Sequence, residues 1–374
     1  MNTLDSSSGP DPSMARPGFE AADSRNISRL VSAKGDPNAI IAAEVGPRYL
    51  DYRRQWDLAR TFQLRPPFPL HVDYELIYRC NLRCPICIMS LPAEERNRWG
   101  DSSLSLSLDT VKELLDEGAA KGQAAVGLNG ICEPLLYPDL PEIVAYARSR
   151  GMVDVMFNTN GLLLDEDRSR ALIRAGLTRI MISLDAATEE TYRRIRIGSD
   201  FEQVRENVRR FVRLRQEIGS NLPIVRVSFC VTRVNEHELD DFIRVWTPVA
   251  DFFSIQQYGN TFEGDHADDR ARLFPRTRTY DPGPAPRCGQ PWKRVMVRHN
   301  GDVMPCCDAS GLGLVVGNVY DAPLEDIWLG ARAERIRRLQ SQGLYDREPI
   351  CRACMTKWGP TADGQGREAQ GARH

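Results

Sequence analysis

The run Cys80-Asn81-Leu82-Arg83-Cys84-Pro85-Ile86-Cys87 limits what this chain can fold into more than any other stretch. The segment before it alternates, with Val72, Tyr74, Leu76 and Tyr78 set against Asp73, Glu75 and Ile77. That is the period of a strand. The thiols therefore sit on a loop leaving the C-terminal end of a strand, where parallel α/β sheets assemble their sites. Three thiolates on one loop suit three irons of a cubane cluster and leave the fourth iron open, unlike the four-cysteine pattern of electron carriers. A zinc site or three unrelated buried thiols is the other reading. Zinc would need a fourth ligand, and the nearest histidine, His71, lies on the strand itself.

The chain has 374 residues and a net charge of −2, enough for one large domain and a small one. Acidic residues balance the arginines and no basic block occurs, which disfavours nucleic acid as a partner. No apolar run approaches the roughly 18 residues of a membrane span, and Met1–Pro17 lacks the pattern of a secretion signal. Ten cysteines in such a chain point to metal chemistry in a reducing compartment, the cytoplasm, rather than to disulfides.

Residues 1–35, rich in Ser, Asp, Pro and Gly, are expected to be disordered, and 36–67 to form a helical segment. Helical and strand patterns then alternate. The strands are expected near Ala124–Asn129, Val153–Asn158, Arg179–Leu184, Ile224–Val231 and Phe252–Gln257. Strands joined by helices imply a parallel sheet with helical crossovers. Within Ile224–Val231, Val225, Val227, Phe229 and Val231 form an outward apolar face, leaving Arg226, Ser228 and Cys230 inward. By the same alternation Met181, Ser183, Asp185 and Asn158 point inward, giving a polar lumen in an apolar shell.

The three-cysteine loop after a strand, with Asn81-Leu82 after the first thiol, resembles the cluster loop of radical S-adenosylmethionine (AdoMet) enzymes. That resemblance implies an α/β fold, a partial (β/α)6 TIM-like barrel over 68–260. It also implies that Cys80, Cys84 and Cys87 hold a [4Fe–4S] cluster whose open iron binds AdoMet, an electron then releasing a 5′-deoxyadenosyl radical. Asn129-Gly130-Ile131-Cys132-Glu133-Pro134 resembles the family's Gly-Gly-Glu-Pro motif, with Cys132 in place of the second glycine. Gly130, Glu133 and Pro134 are thereby implied to hold AdoMet. Asn158 and Asn160 after the third strand, Ser183 and Asp185 after the fourth, and Arg194 and Arg196 on the next helix match positions near its carboxylate and ribose.

Past a connector at 261–286, Val295 and Val297 lead to Asn300-Gly301, a strong hairpin signal, and on to Val303. Cys288, Cys306, Cys351 and Cys354 resemble the SPASM or shortened twitch auxiliary-cluster region. The resemblance implies a small C-terminal auxiliary-cluster domain at 287–358, with a β-hairpin and helix, holding a second [4Fe–4S] cluster. Four cysteines with one C-x-x-C also suit zinc, and Cys307 is an alternative to Cys306. Residues 359–374 read as a disordered tail.

A fully ligated auxiliary cluster has no open iron, so its role is electron transfer or support. The resemblance to twitch-type enzymes implies oxidation of a small polyhydroxylated substrate such as a sugar or aminocyclitol, with flavodoxin or ferredoxin as electron donor. A redox-neutral epimerase or dehydratase is the alternative, with Cys230 as a hydrogen-atom donor; a small buried filler is the plainer role for that thiol. A peptide maturase is disfavoured by the lack of a recognisable leader-binding domain, and a non-catalytic electron carrier by the AdoMet motifs. The loops 91–105 and 265–286 are expected to line the substrate.

Overall fold

The computed structural model describes residues 27–258, 273, 287–306 and 312–358. Its first half runs β1 (Ile27–Ser32), α1 (Pro37–Val45), α2 (Arg48–Arg60), β2 (His71–Tyr74), α3 (Ala93–Arg96), α4 (Leu108–Ala120), β3 (Ala125–Gly127), α5 (Leu140–Ser149), β4 (Asp154–Thr159) and α6 (Glu166–Arg174). Then follow β5 (Arg179–Ser183), α7 (Glu189–Ile195), α8 (Phe201–Glu217), β6 (Ile224–Val231), α9 (Leu239–Trp246) and β7 (Phe252–Gln257). The C-terminal part has α10 (Gln290–Lys293), β8 (Arg294–Val297), β9 (Asp302–Met304), β10 (Gly317–Asn318), α11 (Leu324–Leu329), α12 (Ala331–Ser341) and α13 (Pro349–Trp358).

Strands β2 to β7 lie side by side in chain order and all parallel, with helices between them. This is the expected partial barrel. Its outward face is apolar: Val155, Phe157, Ile180, Ile182, Val225, Val227 and Phe229 are fully buried in one core with Leu115, Ile143, Leu172, Val208 and Phe242 of the helices. Each such side chain stabilises the fold by about 1.5–3 kcal/mol. The inward face is left to polar groups, as the alternation requires.

The edges differ from expectation. Within the stretch read as disordered, Ile27–Ser32 forms β1 and pairs antiparallel with β7, Leu30 opposite Ser254 and Ser32 opposite Phe252. An edge strand presents unpaired backbone groups, and another backbone satisfies them whatever its side chains, so a polar composition does not reveal the pairing. At the other edge β8 runs parallel to β2, with His71 opposite Arg294 and Tyr74 opposite Val297. The hairpin thus continues the barrel sheet through β9 and β10. Gly301 supplies the positive φ of 85° that its turn requires. The single expected helix is two, α11 and α12, parted at Gly330. They seat the C-terminal part on the barrel: Trp328 Nε1 donates to the Pro66 carbonyl at 3.1 Å, and Glu117 of α4 accepts from the Glu325 N–H at 2.8 Å. Expectations for 1–26, for the connector apart from Leu273, for Cys307 and for the tail lie outside the described residues.

The N-terminal helical segment closes the far end of the barrel. Tyr49, Tyr52 and Trp56 of α2 bury against Leu70, Ala125, Val153, Ile224 and Phe252, at the N-terminal ends of the strands. Below them Arg179 pairs with Asp154 and donates to Tyr49 Oη at 2.9 Å. Replacing Trp56 with Ala is expected to lower unfolding stability by about 3–5 kcal/mol while leaving the secondary structure in place. A urea midpoint equal to that of the parent protein would show that this plug is not part of the cooperative core.

Candidate radical-cofactor and cluster sites

At the open end of the barrel, the cysteine loop is tied to three neighbours. The Arg79 carbonyl accepts from the Glu133 N–H at 2.8 Å. Asn81 Oδ1 accepts from Asn160 Nδ2 at 2.8 Å. The Arg83 N–H donates to the Ile197 carbonyl at 2.9 Å. Within the loop, Arg83 Nη1 donates to the Cys80 and Leu82 carbonyls at 2.8 and 2.7 Å, and the Cys87 N–H donates to the Cys84 carbonyl at 2.9 Å.

Burial pushes the Cys80 thiol up to about 12, with charge on Glu133, Cys87 and Cys84 adding to the rise. Burial also raises Cys84, against the pull of Arg196, whose Nη1 lies 3.9 Å from its sulfur. Among the described residues no group of three or more His, Cys, Asp or Glu side chains is arranged to hold a metal ion, so the sulfurs share a neighbourhood rather than a formed coordination shell. The donor set nonetheless fits an iron–sulfur cluster. Three soft sulfurs stand on one loop, and burial makes Cys80 and Cys84 costly to ionise alone, so they gain from bonding to iron.

The motif loop after β3 is built around a residue that pattern reading left without a role. Glu75, just past β2, is fully buried; its Oε1 accepts from the Ile131 N–H at 2.8 Å. Its Oε2 accepts from Arg298 Nε at 3.0 Å and lies 2.8 Å from His299 Nδ1. Gly130 is needed for this approach, because a Cβ there would stand 2.3 Å from Glu75 Cγ. One strand turn below, Arg294 reaches Asp73 Oδ2 at 2.6 Å and His71 Nε2 at 3.0 Å. Burial alone would raise the Asp73 carboxyl, but Arg294 and His71 hold it well below the usual range. Burial lowers His71, against the pull of Asp73. The available signal was two acids on a strand that is otherwise apolar.

Glu133 is buried and its oxygens are engaged by the neighbouring strand end. Oε1 accepts from the Thr159 hydroxyl at 2.7 Å and the Leu135 N–H at 3.1 Å, and Oε2 from the Asn160 N–H at 2.8 Å. Burial raises its carboxyl, and these donors oppose the rise. Pro134 follows as the first residue of a short 3-10 turn. Asn160 is taken up by Asn81 and by the Leu162 N–H. Asn158 and Ser183 stand at neighbouring strand ends, and neither side chain makes a hydrogen bond among the described residues.

Asp185, also buried, adopts a positive φ of 60°. It pairs with Arg196 through Oδ2, and its Oδ1 accepts from the Cys230 N–H at 2.7 Å. Burial raises its carboxyl against the pull of Arg196. Arg196 Nε is buried with no hydrogen-bond partner among the described residues, a spare donor of the kind that suits an anionic ligand. Arg194 is exposed on α7, so of the two arginines the fold brings only Arg196 inward. Cys230 lies on the inward face of β6, and burial raises its thiol.

In the C-terminal part the Cys288 N–H donates to Gln340 Oε1 at 3.2 Å, and the same amide hydrogen-bonds the Cys351 thiol. Burial pushes Cys351 up to about 11, and charge on nearby Cys288 adds to the rise. Cys306 follows β9, and Cys354 stands one turn beyond Cys351 on α13. The nine described cysteines are all free thiols.

Residues 74–245 match the model of the radical SAM superfamily, and residues 288–355 that of the SPASM iron–sulfur cluster-binding domain. The chain belongs to the radical SAM superfamily. Its cofactors are accordingly AdoMet and [4Fe–4S] clusters, with Cys80, Cys84 and Cys87 as the loop that would hold the AdoMet-binding one. This radical SAM chain is similar to a probable GTP 3′,8-cyclase of Methanococcus maripaludis, 30% identical over 40% of the chain and 46% of that protein. It thus spans about half the length of that relative. It is also similar to the PqqA peptide cyclase of Gluconobacter oxydans, 27% identical over 70% of the chain and 77% of that protein. The fold resembles that of Streptococcus suis SuiB bound to S-adenosylmethionine, with a TM-score of 0.55, 17% identity, and 78% and 72% of the two chains covered.

Replacing Cys80, Cys84 and Cys87 together with Ala is expected to lower iron in the anaerobically reconstituted protein from about eight to about four per chain. Zinc in the parent protein, or iron unchanged by the triple replacement, would contradict this ligand assignment.

Proposed function

We propose that this radical SAM enzyme oxidises a small polyhydroxylated substrate. When bound, the cluster with AdoMet supplies a 5′-deoxyadenosyl radical for hydrogen abstraction, and the auxiliary cluster supplies a one-electron acceptor. The chain's own residues hold and orient. Gly130, Glu133, Pro134, Asn158, Asn160, Ser183, Asp185 and Arg196 form the AdoMet cradle, and Cys288, Cys306, Cys351 and Cys354 hold the auxiliary cluster. Thiol sites of this kind belong in a reducing cytoplasm.

The observation that carries the reading is the lumen itself. Beyond the AdoMet cradle, Ser228 and Ser254 lie 3.2 Å apart and share an inward face with Arg226, while apolar side chains are turned outward. Groups of this kind match hydroxyls and repay poorly the burial of an apolar substrate. A second reading, radical modification of a peptide, is favoured by the similarity to a peptide cyclase over most of both chains.

Two outcomes test the site. Glu133→Ala leaves the Thr159 hydroxyl and the N–H groups of Leu135 and Asn160 without their acceptor. AdoMet binding is expected to weaken by about 1.5–3 kcal/mol in a variant that still takes up full iron. Unchanged affinity would remove Glu133 from the cradle.

Cys230→Ala separates oxidation from hydrogen return. Under the oxidation reading the variant still forms a product two hydrogens lighter, with one 5′-deoxyadenosine per turnover and no solvent deuterium at the reacting carbon. Solvent deuterium in a parent-enzyme product of unchanged oxidation level, lost in the variant, would identify an epimerase with Cys230 as donor. Turnover of a peptide but of no sugar or aminocyclitol would favour the second reading.

A further inference from the structure

Arg298 and His299, the last residues before the Asn300-Gly301 turn, do more than pair with Glu75. Each also reaches a backbone atom of the segment that follows the cysteine loop. Arg298 Nη2 donates to the Trp99 carbonyl at 2.6 Å, and His299 Nε2 accepts from the Asp101 N–H at 3.1 Å. A backbone N–H can only donate, so Nε2 carries no proton. The ring proton therefore sits on Nδ1 and is given to Glu75 Oε2. The segment is drawn in closely: a Cβ at Gly100 would stand 2.7 Å from Tyr78 Cγ and 2.8 Å from His299 Cε1. Tyr78 stacks on His299 with ring centroids 5.2 Å apart, and its hydroxyl donates to the Arg96 carbonyl at 3.1 Å. Past this contact the chain returns toward β2, the Leu106 N–H donating to the Leu76 carbonyl at 3.0 Å. Trp99, between these anchors, packs against an apolar cluster in which Tyr78, Met89 and Leu91 meet Met296, Met304 and Leu312 of the C-terminal part. Cys80, Cys87 and Ile131 of the motif loop pack against the same cluster.

We propose that Arg298 and His299 are positioning residues for the AdoMet-binding cluster, locking residues 96–101 as a strap over the apolar side of the cysteine loop. The inference rests on the cluster assignment above. Both side chains hold Glu75 with one end and main-chain atoms of the strap with the other, so they fix the strap's path whatever side chains it carries. The imidazole satisfies an acceptor and a donor at once, which a phenyl ring of similar shape cannot do. Trp99 of the strap and the two methionines of the hairpin then belong to the apolar shell around Cys80 and Cys87. Such a shell governs how readily water reaches a metal site. The C-terminal part thereby acts on the first cluster without lending it a ligand.

The test uses the anaerobically reconstituted full chain and reads two quantities. One is the release of iron to a chelator; the other is the change in the EPR spectrum of the reduced protein on adding AdoMet, which reports the AdoMet-binding cluster alone. His299→Phe keeps a ring against Tyr78 and removes both hydrogen bonds. It is expected to release about four irons per chain about tenfold faster than the parent, with the remaining irons leaving at the parent rate and the AdoMet-dependent EPR change altered. His299→Gln, whose amide can still accept from Asp101, should lose less. Gly100→Ala leaves every partner of Glu75 in place and lifts the strap by steric contact alone, so it should reproduce the fast release and keeps the test open should His299→Phe fail to fold. Parent rates in His299→Phe or in Gly100→Ala would overturn the proposal. Equal acceleration of both sets of irons would overturn it as well, since that marks a general loosening of the fold. Iron content unchanged by joint replacement of Cys80, Cys84 and Cys87 would instead sink the cluster assignment, and the strap's role with it.

Discussion

The carboxylate of Glu75 is the interaction on which the open end of this barrel depends. A buried charge is tolerated only when paired and hydrogen-bonded, and Glu75 meets that demand from two directions. Through Ile131 it fixes the motif loop after β3, and through Arg298 and His299 it fixes the end of the C-terminal hairpin. Glu75 is thus a point at which the two stretches matched by the family models are joined. Loss of either side would leave a buried charge partly unpartnered, so the motif loop and the hairpin hold one another in place.

The same economy recurs around the rim. Glu133 joins the motif loop to the end of β4, Asn160 joins that strand end to the cysteine loop, and Asp185 joins β5 to β6 while pairing with Arg196. Side chains that motif reading places directly on the cofactor are, in this arrangement, also the ties between adjacent strand ends. A polar lumen can hold these ties because the apolar alternation of each strand has already turned its hydrophobic positions outward to the helices. Arg196, with its Nε unpartnered among the described residues and the Cys84 thiol nearby, is left with capacity for an anionic ligand.

Much of this was legible from periodicity. Ile224–Val231 and Phe252–Gln257 appear at the expected bounds, and Arg226, Ser228 and Cys230 face away from the buried Val225, Val227 and Phe229, because a strand's two-residue period permits no other arrangement. The cysteine loop and the Asn300-Gly301 turn were legible for a different reason. Each depends on a few adjacent residues, whose local chemistry changes little with what surrounds them.

The pairing of distant segments was not legible. Strand β1 arises in a stretch of unpromising composition because the edge of β7 needs backbone partners, and β8 joins β2 across more than half the chain. Arg194 and Arg196 look alike on paper, yet the end of α7 exposes the first and turns the second toward Asp185. The sequence by itself determined the strand periods, the direction of their apolar faces and the places where thiols gather, since each follows from neighbouring residues. Only the tertiary structure decided that Glu75 meets Arg298 and His299, that Gly130 must lack a Cβ, and that the hairpin completes the sheet. Those outcomes depend on which groups are brought within hydrogen-bonding distance once water is excluded, and no local pattern records that distance.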